Sequence, residues 1–98
     1  QLGTEEIAKK ADVMIVIGGK NSSNSKELAA KSRSYGVKTH FIQEAKQLEE
    51  EWFKGRGKIG VSAGASTPDI TINEVVDRIK EIGALEEKGK PLNTEILG

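Results

Sequence analysis

Residues 12–17, with the sequence DVMIVI, limit the possible folds of this chain more than any other segment. The run is short, continuous and mostly β-branched, and it lacks the polar alternation of a strand with one side in solvent. Such a run is typical of a strand covered on both faces, and strands of this kind belong to parallel sheets with helices on either side. A chain of 98 residues can bury a core of its own within one domain.

The other segments alternate between helix and strand patterns. Helices are predicted over residues 5–10, 24–35, 45–53 and 68–85, and strands over residues 37–42, 58–62 and near 95–97. Gly36 stands where a helix C-cap belongs. Because alternating strands and helices pair in parallel through right-handed crossovers, the sequence predicts a three-layer α/β domain. We expect a small parallel sheet of three or four strands with helices on both faces over residues 1–85, followed by a polar C-terminal tail, residues 86–98.

The composition excludes several classes of function. Fifteen Lys and Arg residues balance fifteen Asp and Glu residues, so no strong field draws the chain to nucleic acid or to an acidic membrane. The longest apolar run is far too short to span a bilayer. There is no cysteine, so these residues form no disulfide and no cysteine-held metal site. We therefore expect neither a nucleic-acid partner nor a membrane.

A polar turn follows the first strand directly. Gly18 and Gly19 permit a sharp turn and a close approach of the backbone to a ligand, and the run KNSSNS then leads into a helix. A helix N-terminus favours an anion, and Ser22, Ser23 and Asn24 add neutral donors, so this turn is predicted to bind an anion. The alternative is that Asn24 only caps the helix, paired with Glu27. The glycine spacing matches neither a P-loop nor a dinucleotide fingerprint.

A second turn of similar chemistry follows the third strand, in the segment GASTPD. Thr67 is predicted as the N-cap, Pro68 as the first helical residue, and Asp69 as a complement to the helix dipole. Ser66 is then free for another role. Because the carboxyl ends of parallel strands share one edge of a sheet, the two turns are expected to form one cradle for a phosphate or diphosphate.

The paired segments GGKNSSNSKEL and GVSAGASTPD resemble the C-terminal domain of the LytB/IspH family of 4-hydroxy-3-methylbut-2-enyl diphosphate reductases. The resemblance extends over residues 1–82, through KADVMIVIGG, EEEWF and TPDITINEVVDRIKEI. It implies the last step of non-mevalonate isoprenoid biosynthesis, a reductive dehydroxylation that yields isopentenyl and dimethylallyl diphosphate. It also implies that Ser22, Ser23, Asn24 and Ser66 bind the substrate diphosphate, and it assigns no catalytic residue to this chain.

The same resemblance implies a cofactor and partners that these residues do not supply. The family carries a [4Fe–4S] cluster on cysteines, and this chain has none. We therefore expect a fragment, inactive alone, whose partners are an allylic diphosphate, two further domains of the parent chain, and an electron donor such as ferredoxin or flavodoxin. A bacterial, cytoplasmic location is expected.

Two other hypotheses remain open from the residues themselves. The chain could be a non-catalytic phosphate- or nucleotide-binding α/β module, because a fold alone does not fix a function. It could also be a structural domain whose polar turns are only helix caps. His40, the one histidine, is interpreted as an exposed or core-edge residue, with proton transfer as the alternative. Lys20 either reaches a phosphate or is a solvated loop lysine.

Overall fold

A computed structural model describes residues 4–53, 58–86 and 95–97. Within these ranges the chain forms three α-helices and four strands. The helices are α1 (Thr4–Lys10), α2 (Ser23–Ser34) and α3 (Asp69–Glu86), and the strands are β1 (Val13–Ile17), β2 (Lys38–Ile42), β3 (Lys58–Ala63) and β4 (Glu95–Leu97).

The four strands form one parallel sheet in the order β2-β1-β3-β4. Ile17, the last residue of β1, lies opposite Ile42 of β2 and Ala63 of β3. The three strands therefore end at the same level, and their carboxyl ends form a single edge. The predicted α/β class is confirmed, with four strands in the sheet.

Both faces of the sheet are covered, which explains the unbroken apolar run of β1. All five residues of β1 are completely buried. Met14 packs on one face with Ile7 and Ala8 of α1, on the side where α1 and α2 contact each other. The opposite face carries the larger core, in which Ile15 lies in one cluster with Val75, Ile79 and Ile82 of α3. The domain thus has the three predicted layers.

The prediction of one charged helix over residues 45–53 is wrong. The segment instead forms two short 3₁₀ turns, Ala45–Gln47 and Glu50–Phe53. Leu48, between them, has extended backbone angles, φ −69° and ψ 138°, and its side chain is buried. Because of this break, the side chains of Leu48 and Phe53 both enter the core. In one continuous helix, residues five positions apart would point in different directions. Tertiary burial overrides helix propensity here.

The predicted end of α2 and the predicted last strand are both present. Gly36 follows the C-cap Tyr35 with a φ of 85°, and its amide donates to the Arg33 carbonyl at 3.0 Å. Residues 95–97 pair with β3 as β4. The division into a domain of residues 1–85 and a tail of residues 86–98 stays a prediction, because residues 87–94 lie outside the described ranges. None of the described helices is both long and apolar enough to cross a membrane.

Candidate functional site

The connections of the sheet create a crevice between β1 and β3. From β1 the chain enters α2 on one face and continues outward to β2, whereas from β3 it enters α3 on the other face and continues outward to β4. Two adjacent strands whose chains depart in opposite directions form a topological switch point, where parallel α/β sheets bind their ligands. Both polar turns predicted from the sequence lie at this point.

The first turn, residues 18–22, is held between strand end and helix start. The Gly18 amide donates to the Ile42 carbonyl at 2.9 Å and the Ser22 amide donates to the Gly19 carbonyl at 3.0 Å. Ser22 then acts as the N-cap of α2: its extended backbone lets its Oγ accept from the Ser25 amide at 3.2 Å. Capping by Asn24, the alternative considered from the sequence, is therefore wrong.

The second turn, residues 64–68, is anchored to the end of β1. The carbonyl of Ile17 accepts from the Gly64 amide at 3.1 Å and from the Thr67 Oγ1 hydroxyl at 3.2 Å. The amide of Thr67 also donates to the Gly64 carbonyl at 3.0 Å, which closes the turn.

The predicted cap of α3 is corrected by one residue. The Pro68 carbonyl accepts from the Ile72 amide at 3.2 Å, the first bond of the helix, so Pro68 holds the capping position. Thr67 lies one residue earlier, and its hydroxyl fastens the turn to β1 and does not cap.

The side chain of Asn24 joins the two turns. Its Oδ1 accepts from the Ala65 backbone amide at 3.2 Å, across 41 positions of sequence. Because an N–H group donates, the amide oxygen of Asn24 faces Ala65, and its NH₂ group keeps two hydrogens for other acceptors. The structure thus brings the two turns together, as the sequence predicted, and places Asn24 next to the segment that contains Ser66.

Several donors are available at this edge. The amides of Ser23 and Asn24 precede the first intrahelical bond of α2, from the Lys26 amide to the Ser22 carbonyl, so they have no acceptor inside the helix. The side chains of Ser23, Asn24 and Ser66 are exposed, and Ser22 is half-buried. Hydroxyls, amides and a helix dipole together are suited to an oxyanion.

Ser66 also lines an open cleft of about 450 Å³. The lining residues are Gly18, Gly19, Gln43, Glu44, Ser66, Thr67, Pro68 and Thr71. Ser22, Ser23 and Asn24 are not among them, so the cleft lies beside the start of α2 and does not contain it. The Glu44 carboxylate would repel an anion, which favours an anion position on the α2 side of the crevice. Lys20 in the first turn and Lys26 in α2 are exposed cations that flank this position in sequence.

The described residues contain no group of three or more His, Asp or Glu side chains able to hold a metal ion, and the sequence has no cysteine. Iron–sulfur clusters are held by thiolates in almost every position. These residues therefore do not fit a [4Fe–4S] cluster. His40 is half-buried in β2 and its ring stacks on Trp52, with centroids 3.9 Å apart, in agreement with an edge-of-core role.

One contributor to this edge was missed from the sequence. Ser25 is completely buried and its hydroxyl lies 2.9 Å from that of Ser22. The available signal was its spacing: Ser25, Ala29 and Ser32 repeat at helical intervals and form the buried stripe of α2. Small residues on that stripe allow the helix to approach the sheet closely.

Fold and edge together define a class, a parallel α/β domain whose switch-point crevice is lined by hydroxyl and amide donors. The sequence matches the family model described as LytB protein over residues 1–80, and the chain belongs to that family. It is 50% identical over 82 residues to a 4-hydroxy-3-methylbut-2-enyl diphosphate reductase of Campylobacter concisus, covering 84% of this chain and 30% of that protein. The corresponding reductase of Aquifex aeolicus is 46% identical over 82 residues, covering 84% and 28%.

Solved structures give the same result. The structure described as (E)-4-hydroxy-3-methyl-but-2-enyl diphosphate reductase, the terminal enzyme of the non-mevalonate pathway, superposes with a TM-score of 0.77 at 46% identity. That match covers 80% of this chain and 28% of the solved one. The reductase from Plasmodium falciparum gives 0.68 at 27% identity over 93% of this chain and 26% of the other. The chain thus spans about 30% of the length of the curated relatives it matches.

Proposed function

We propose that this chain is the diphosphate-binding part of a reductase that acts on 4-hydroxy-3-methylbut-2-enyl diphosphate, the substrate named in its relatives. In this proposal Ser22, Ser23, Asn24 and Ser66 donate hydrogen bonds to the diphosphate oxygens. The observation that carries the proposal is the hydrogen bond from the Ala65 amide to Asn24 Oδ1, which supports a single site built from both turns.

The proposed binding uses donors that are already in position. The first-turn amides of α2 and the hydroxyl groups meet the anion without a change in the backbone. Each hydrogen bond to a charged oxygen contributes roughly 1.5–3 kcal/mol. The helix start adds about 0.3–1 kcal/mol where it is exposed. These contributions hold the diphosphate and thereby orient the rest of the substrate.

The proposal gives these residues no part in electron transfer. They supply no thiolate for a [4Fe–4S] cluster, so the cluster and its ligands would belong to the other domains of the parent enzyme. An electron donor such as ferredoxin or flavodoxin would then dock elsewhere on that enzyme. The isolated chain is expected to be inactive, and a bacterial cytoplasmic location accompanies the proposal.

Two adjacent hydroxyls of the second turn test the proposal. In the full-length reductase, Ser66→Ala is expected to weaken substrate binding roughly 10- to 100-fold, because it removes a hydrogen bond to a charged oxygen. The free energy of unfolding should not change, since Ser66 is exposed and does not begin the helix. Calorimetric titration and thermal unfolding measure the two quantities.

Thr67→Ala is the matched control for this experiment. It removes the hydroxyl bond to the Ile17 carbonyl and should lower the free energy of unfolding by about 1 kcal/mol, with a smaller effect on affinity. If Ser66→Ala destabilises the fold and leaves substrate affinity unchanged, Ser66 is structural and its role in diphosphate binding is refuted.

A further inference from the structure

Ser25 occupies the gap between the two turns. It is completely buried, although it is polar and lies in the first turn of α2. A β-carbon placed on Gly18 would lie 1.9 Å from Ser25 Oγ, and one placed on Gly64 would lie 2.1 Å from the same atom. The hydroxyl therefore fills the space that the two glycines leave free, between the two turns and beneath the surface of the candidate site.

Burial of the Ser25 hydroxyl indicates which partner donates in its hydrogen bond with Ser22. Within the described residues, the partner of Ser25 Oγ is Ser22 Oγ, at 2.9 Å. If Ser22 were the donor, the hydrogen of the buried Ser25 hydroxyl would have no acceptor, which buried polar groups rarely tolerate. We therefore assign the Ser25 hydroxyl as the donor and Ser22 Oγ as the acceptor.

This direction determines what Ser22 can offer a ligand. Ser22 Oγ already accepts from the Ser25 amide at 3.2 Å, so the Ser25 hydroxyl occupies its second lone pair. The remaining capacity of Ser22 is its own O–H, which can only donate. A group held as a donor is matched to an anionic oxygen, and a chain of two hydroxyls strengthens the outer hydrogen bond by polarisation.

We infer that Ser25 is a positioning residue that holds the Ser22 hydroxyl as a donor to the diphosphate. Because Ser25 is completely buried, it would not contact a ligand at the surface, and its effect would pass through Ser22. The inference rests on the proposed function, because it assumes that Ser22 binds the diphosphate. It adds a residue that acts behind the hydroxyls and amides assigned above.

Ser32 offers a matched control on the same helix. It is also completely buried, and its hydroxyl donates to the Leu28 carbonyl at 2.9 Å. Ser25→Ala and Ser32→Ala each remove one buried hydroxyl from the inner stripe of α2. The two variants should lose similar thermal stability, and they differ in their distance from the candidate site.

The test measures binding of inorganic diphosphate to the full-length protein by calorimetric titration, with melting temperatures from the same samples. Ser25→Ala is expected to weaken binding about three- to tenfold, while Ser32→Ala binds as wild type does. In a Ser22→Ala background, Ser25→Ala should cause no further loss. This non-additivity distinguishes action through Ser22 from a general loosening of the fold.

The outcomes separate the inference from the proposed function. If Ser22→Ala weakens binding but Ser25→Ala matches Ser32→Ala, the inference is overturned and the proposed function stands. The inference is also overturned if the losses from Ser22→Ala and Ser25→Ala simply add. If neither Ser22→Ala nor Ser66→Ala alters binding, the proposed function is overturned and the inference with it.

Discussion

Among single residues, Gly18 and Gly64 have the clearest structural requirement. Ser25 lies so close to both that a β-carbon at either position would clash with it. The clash that an added β-carbon would meet differs between the two positions. At Gly64 the close contact is with Ser25 Oγ, at 2.1 Å, and Ser25 Cβ is 3.3 Å away. At Gly18 the Cβ of Ser25 is itself only 2.2 Å away. Removing the hydroxyl should therefore relieve one clash and not the other.

A double-mutant cycle tests this contact. Gly64→Ala alone is expected to lower the free energy of unfolding by about 1–3 kcal/mol through overpacking. In a Ser25→Ala background the same substitution should cost far less, because the remaining contacts, Ser25 Cβ at 3.3 Å and Asn24 Oδ1 at 3.4 Å, need only small shifts. Denaturant unfolding of the four proteins gives the coupling energy.

Gly18→Ala serves as the control for that cycle. Its clash with Ser25 Cβ persists after the hydroxyl is removed, so Ser25→Ala should not rescue it. Equal rescue at both glycines, or at neither, would contradict the packing described for Ser25.

At the scale of single elements, helix boundaries show what local sequence does and does not determine. The end of α2 was predicted from Gly36, because a left-handed residue after a helix is a local requirement. The start of α2 was not, since Ser22, Ser23 and Asn24 are all good caps; in the structure Ser22 caps the helix, and the side chain of Asn24 bonds to the distant Ala65 amide instead. Likewise, the break at Leu48 depends on core burial that no nine-residue pattern contains.

The backbone requirement at Gly36 can be measured without any change in packing. A β-carbon at Gly36 meets nothing within 4 Å, but the φ of 85° is unfavourable for alanine. Gly36→Ala should therefore lower the free energy of unfolding by about 1–2 kcal/mol. Chemical denaturation monitored by circular dichroism measures this change.

Gly19 provides the matched comparison, since an added β-carbon there also meets nothing within 4 Å and its φ is not positive. Gly19→Ala should be neutral or stabilise the fold by about 0.4–1 kcal/mol. Equal destabilisation by both substitutions would show that the conformation at Gly36 is not the cause.

For the molecule as a whole, the apolar run of β1 and the alternation of strands and helices together predicted the architecture, because a strand without polar positions is covered on both faces and such alternation gives a parallel sheet. That architecture places the ends of β1 and β3 at one edge, and so the meeting of the two turns was also predictable. The bridge from Asn24 to Ala65 was not, because it depends on strand register across 41 positions. The burial of Ser25 could not be predicted either, because it depends on how α2 packs against the sheet.

The central claim is that both turns form one diphosphate site, and amide chemical shifts test it most directly. Inorganic diphosphate is added to the ¹⁵N-labelled full-length protein at constant ionic strength, with sulfate as the control anion. The account predicts that the amides of Ser23, Asn24 and Ser66 shift together with one dissociation constant, and that Ser66→Ala weakens binding reported by all of them. Shifts confined to one turn, or separate dissociation constants for the two turns, would contradict it.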